Sequence, residues 1–209
     1  RDNIRSNLKL IDTWLGKFPL HNGNVILVSG GPYLNINKLK THIRNNPDSK
    51  IVCVKHSYPK LVDNGILPWA CIVLDPRPIT GTSTHGIVRK ELFKKIEKKT
   101  KFFVASMTDP SVTEYLIDKG AEIHGWHAFT ESLRDPAEQN KKMVNNSVTL
   151  NPDIGIPQGA TLITGGTCAA MRALGIMHTM GFRNFDLFGF DSCMEEPTEE
   201  QKKETTGSE

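Results

Sequence analysis

Several polar groupings in this chain stand where a short apolar run ends, and their residue types suit phosphate chemistry. Ser29-Gly30-Gly31-Pro32 follows the run Val25-Ile26-Leu27-Val28, and Lys55-His56-Ser57 follows Ile51 to Val54. Asp75-Pro76-Arg77 follows Ala70 to Leu74, Ser106 and Asp109 follow Phe102 to Ala105, and Asp191-Ser192 follows Phe185 to Phe188. Thr164-Gly165-Gly166-Thr167 opens a second periodic segment. Glycines let a backbone approach a ligand closely, and the unpaired amides of a helix's first turn attract an anion. The inventory is two candidate phosphate cradles, two basic groups (His56 and Arg77) and two carboxylates (Asp75 and Asp191). Each also has an ordinary reading: Asp75 before proline forms turns, His56 can end a strand, and Thr167 can cap a helix. Asp191 is the favoured functional carboxylate, because a buried strand delivers it to the edge where ligands bind.

The elements that must position these groups alternate along the chain. The pattern predicts a helix over 4–15, a strand over 25–29, a helix over 34–44, a strand over 51–54 and a short helix over 59–64. A strand over 70–74, a helix over 88–98, a strand over 102–105, a helix over 111–119 and a strand over 122–126 follow. Residues 128–158, with Pro136, Pro152 and Pro157 and few aliphatics, break the rhythm and read as an extended excursion or lid. Order returns at Leu162, with a buried helix over 167–180 and a strand over 185–188. The interior Gly175 of that helix costs about 1 kcal/mol against alanine, which points to close backbone packing. Alternating strands and helices specify an α/β fold: a doubly wound, mostly parallel, Rossmann-like sheet with helices on both faces. Residues 1–193 read as one domain, and the acidic, polar segment 194–209 as a disordered tail.

Composition narrows the class. Hydrophobic residues make up 38% and charged residues 23% of 209, enough for a real core. No apolar run approaches the roughly 18 residues of a membrane helix, so no membrane partner is expected. Cys53, Cys71, Cys168 and Cys193 lack paired spacing and read as free thiols in a reducing cytoplasm. The net charge of +3 includes six acids and two lysines after Cys193, leaving a basic body of about +7 that favours phosphate-bearing ligands. The cluster from Arg89 to Lys101 is interrupted by Leu92, Phe93 and Ile96 at helical spacing, a solvated helix face rather than a nucleic-acid surface. His124 and His127 lack further ligands for zinc.

Three separated segments carry a family resemblance: Val28 to Leu34, Gly65 to Pro68 with Leu74-Asp75-Pro76, and Gly165 to Met171 with Gly189-Phe190-Asp191. Their order and spacing resemble the 6-hydroxymethylpterin diphosphokinase MptE-like family, which includes the motility accessory factor glycosyltransferases. The core is also similar to bacterial sialyltransferases that use CMP-sugars. The resemblance implies a transferase carrying out ATP-dependent diphosphoryl transfer to a hydroxymethyl group on a pterin-like acceptor. It implies Ser29, Gly30, Gly31, Pro32, Ser57, Gly165, Gly166, Thr167 and Ser192 around a nucleotide, with Arg77 and His56 meeting phosphate or orienting the acceptor. Asp75 and Asp191 then hold Mg²⁺ or ribose, and Asp191, Asp75 and His56 form the catalytic set. Trp126 is the candidate for stacking on a flat ring. The whole picture requires Gly31 and Gly166 to face each other around one polyphosphate. A CMP-sugar-dependent glycosyltransferase and a non-catalytic nucleotide-binding module are the alternatives; an oligomer is compatible with each. The turn departs from the family's usual Gly-x-Gly-Pro-Ser at Tyr33, and the segment after Asp191 has no histidine to act as a base.

Overall fold

A computed structural model of the chain describes residues 2–81, 89–138, 148–166 and 168–191. Among these residues seven strands run in the order Asn24–Val28 (β1), Lys50–Val54 (β2), Ala70–Val73 (β3), Lys101–Ala105 (β4), Glu122–Ala128 (β5), Leu162–Ile163 (β6) and Asn184–Phe188 (β7). The helices are Asp2–Leu10 (α1), Ile36–Asn45 (α2), Tyr58–Asp63 (α3), Arg89–Leu92 (α4), Pro110–Asp118 (α5) and Ala169–Thr179 (α6). All strand pairs are parallel, and their order across the sheet is β6-β5-β4-β3-β2-β1-β7. The doubly wound α/β expectation therefore holds.

Handedness explains the layers. Strands β1 to β6 step in one direction, so right-handed crossovers place their connecting helices on one face. The connection from β6 back past β1 to β7 steps the other way, so α6 lies on the opposite face. Strand residues divide with period two: Ile26, Val28, Cys53, Cys71, Val73, Phe102 and Val104 pack with Leu39, Leu61, Leu92 and Leu116. Val25, Leu27, Val52, Ile72, Phe103 and Trp126 pack with Ala173, Ile176 and Met177 of α6.

The differences from the sequence expectations have local causes. The first helix stops at Leu10, and Thr13 and Leu15 pair with Gly125 of β5 instead of continuing it, at 2.7 and 2.8 Å. A Cβ on Gly125 would meet the Trp14 ring at 2.5 Å, so that glycine makes the seat for Trp14. The helix expected over 88–98 is one turn, Arg89–Leu92; residues 93 and 94 make tight bonds to carbonyls three back, and the Glu97 amide donates to the Tyr58 hydroxyl at 2.9 Å. In the described parts of the 128–158 excursion, Leu133, Leu150, Ile154 and Ile156 form a third small core with Ile4 of α1. Gly175 meets its expectation: a Cβ there would lie 2.6 Å from the Thr164 carbonyl oxygen. Val88, Thr167, Ser192, Cys193, residues 139–147 and the 194–209 tail lie outside the described residues.

Candidate functional site

The sheet reverses its winding between β1 and β7, and ligands of open α/β sheets bind beyond the carboxyl ends of strands at such a point. Here the two strand ends are knitted together. Ser29 N–H donates to Phe188 O at 2.8 Å, Gly31 N–H to Gly189 O at 2.9 Å, and Tyr33 N–H to the Asp191 carboxylate at 2.8 Å. Leu34 N–H turns back to Gly31 O. Four amides expected to receive phosphate are thus spent inside the protein. A Cβ on Gly31 would run into the Asp191 carboxylate and lie 2.5 Å from Gly189 O, so this glycine is required by the β7 end itself. Asn35 caps α2 by accepting from Lys38 N–H at 3.0 Å, which removes another amide from the expected cradle.

One and two strands away lies a charged centre. Asp75, buried at the end of β3, accepts from Lys55 of the β2 end, from Arg89 Nε at 2.7 Å and from Arg77 Nε at 3.0 Å. The Arg77 backbone N–H joins at 3.2 Å. Burial alone would raise the Asp75 pKa, but hydrogen bonds from Lys55, Arg77 and Arg89 outweigh it and hold the value at about 2. Burial lowers the Lys55 pKa, with Asp75 opposing and the two arginines assisting. Lys55 and Arg89 are buried, whereas Arg77 is 48% exposed. Gly81 makes room for Arg89, since a Cβ there would lie 2.5 Å from Nη1. His56 borders the first loop, with its Cβ 3.1 Å from where one would stand on Gly30.

The amino-acid sequence matches the family described as 6-hydroxymethylpterin diphosphokinase MptE-like over residues 1–197. The chain belongs to the MptE-like family. Among solved structures it is similar to the MAf glycosyltransferase from Magnetospirillum magneticum AMB-1, with TM-score 0.52 and 16% identity over 94% of this chain. The chain spans 28% of that protein's length, and the likeness at this identity is one of fold. No curated protein sequence matches significantly.

In this MptE-like chain the second glycine loop does not face the first. Gly165 and Gly166 follow β6, which four strands separate from β1. At about 4.8 Å per strand, five steps along the rim come to roughly 24 Å, too far for both loops to close on one polyphosphate. The separation corrects the expectation that Gly31 and Gly166 grip a single ligand, and the two-cradle site built on it falls with it. The loop itself is strained toward glycine, with φ of 118° and 54°, and Cys168 gives α6 no side-chain cap.

Other candidates have structural work. Ser57 is buried and donates to the Val28 and Val54 carbonyls, both at 3.0 Å, tying β1 to β2. Asp109 caps α5 through Ser111 N–H at 3.0 Å. Trp126 is 1% exposed and donates to Phe103 O, so it cannot stack on a ligand. His124 pairs with Glu122 at 2.9 Å, while His127 stacks on Trp14 with centroids 4.3 Å apart. Among the described residues no group of three His, Cys, Asp or Glu could hold a metal ion, and no helix is long and apolar enough to cross a membrane. Cys53 and Cys71 are buried free thiols, and Cys168 is exposed.

Magnesium carried by a nucleotide needs only one or two protein carboxylates beside the phosphates. Asp75 does not fit that role, because its two oxygens face three cations. Asp191 fits it better: it accepts one amide and stands at a strand end. Arg89 is the member of the charged centre that sequence reasoning missed, and Lys55 stood among the strand-end groups without a role of its own. Lys55 carried a signal in its strand-end place beside His56, whereas Arg89 lay in a charge run whose periodicity suggested a solvated face.

Proposed function

We propose that this chain is the nucleotide-binding part of a transferase, acting by ATP-dependent diphosphoryl transfer to a hydroxymethyl group of a pterin-like acceptor. The observation that carries this reading is the placing of Asp75, Lys55, His56, Gly30 and Asp191 on four adjacent strand ends, β3-β2-β1-β7, of an MptE-like chain. Diphosphoryl transfer depends on positioning and charge neutralisation more than on covalent work by the protein. Lys55, Arg77 and Arg89 would give the β2 and β3 ends a positive potential toward a polyphosphate donor. His56 and Gly30 would border the donor on the β1 side, and His56 would orient the acceptor hydroxyl. When bound, Mg²⁺ would neutralise charge on the polyphosphate, with Asp191 the protein oxygen on offer. Gly165 and Gly166 fall outside this centre.

Incubation with ATP, Mg²⁺ and a hydroxymethylpterin is expected to release AMP in step with acceptor diphosphorylation, followed by ³¹P NMR. The fold-level likeness to a MAf glycosyltransferase favours a second reading, CMP-sugar-dependent glycosyl transfer. Tighter binding of CMP than of ATP with Mg²⁺ would select it. Nucleotide binding without turnover of either donor would leave the non-catalytic module.

A further inference from the structure

Three cations converge on a single carboxylate at the ends of β2 and β3, and two of them are out of water: Lys55 is 5% and Arg89 3% exposed. Removing such ions from solvent is unfavourable and is tolerable only with matching negative charge nearby. Among the described residues Asp75 is the acidic partner of all three, and no other ion pair involves them. The adjoining segment 82–88 reads Thr-Ser-Thr-His-Gly-Ile-Val and contains no acid to restore the balance. Arg77 is fastened by its Nε and backbone N–H to one Asp75 oxygen, while its Nη nitrogens hydrogen-bond to nothing described and the side chain is half exposed. A guanidinium held by its inner edge presents the outer edge as a fork, the geometry that grips phosphate oxygens in pairs.

We propose that Lys55, Arg77 and Arg89 around Asp75 form an oxyanion site for a diphosphate group, in which Arg77 makes the contact and Asp75 is a positioning residue. The inference rests on the transferase reading only for which molecule carries the diphosphate. Inorganic pyrophosphate, tested without metal by calorimetry and thermal shift at fixed ionic strength, is the probe. The unmodified chain should bind it and gain several degrees in Tm. Arg77→Gln should weaken binding at least about tenfold without lowering the unliganded Tm, and Arg77→Lys should recover only part of it. Asp75→Asn, which leaves three unbalanced cations, should lower the unliganded Tm and gain more from pyrophosphate than the parent does.

Equal pyrophosphate binding by Arg77→Gln and the parent would overturn the assignment. So would a Tm gain matched by sodium chloride. Binding that appears only after Glu195, Glu196, Glu199 and Glu200 are changed to Gln would give the site to the chain's own acidic segment and overturn it too. Pyrophosphate binding through Arg77 with no turnover of ATP or CMP-sugar would leave this site standing and remove the transferase reading. ATP binding indifferent to Arg77 would do the reverse.

Discussion

Asp75 and His127 are buried groups whose titration is moved in the same direction for different reasons. Burial with no compensating charge lowers the His127 pKa from 6.5 to about 4. Between those values the unfolded chain takes up a proton that the folded chain refuses, so stability falls as pH drops, by up to about 3 kcal/mol. Asp75 acts lower: its contribution of about 2 kcal/mol is complete above the unfolded value of 3.8 and is lost as pH falls toward 2. Urea denaturation from pH 7.5 to 3 should show the first loss, and His127→Phe, which keeps a ring against Trp14, should flatten it between 6.5 and 4. At this scale the sequence named Asp75 and Arg77 through their place after an apolar run. It could not name Arg89, since a charge reads as solvated until the chain shows that residue 89 returns to the end of β3.

Among the elements, α6 shows how a helix's residue choice is dictated by what it crosses. Gly175 is a poor helix former, yet its missing Cβ lets the Thr164 carbonyl come within 2.6 Å of where that atom would be. Gly175→Ala should therefore destabilise by about 1–3 kcal/mol despite the roughly 1 kcal/mol that alanine gains in an unhindered helix. Thermal unfolding measures the sign directly, and a stabilised variant would mean that α6 shifts freely. Arg172 of the same helix holds β5 and β6 together through the Phe129 and Ile163 carbonyls. Element types were legible from periods of 2 and 3.6. Two helix ends were not, because Leu10 and Leu92 mark where tertiary contacts override the local pattern.

Across the whole molecule, the sheet is completed by strands 160 residues apart in sequence. The register Val28 with Phe188 is continued by Gly31 and Asp191, so the first loop rests on the last strand. Gly31→Ala should cost about 2–3 kcal/mol of global stability, because its Cβ would displace Asp191 and crowd Gly189. Denaturant unfolding checks this, and a loss of nucleotide binding at full stability would return Gly31 to a ligand role. The amino-acid sequence by itself determined the α/β class, the parallel strands and the family, because the first two follow from short-range periodicity and the last from strand-end motifs. Only the tertiary structure decided that β6 stands far from β1, that the Ser29, Gly31 and Tyr33 amides are bonded at the β7 end, and that three cations share Asp75. Strand order and the partner of each hydrogen-bonding group are set by contacts between distant residues, and no local pattern encodes them.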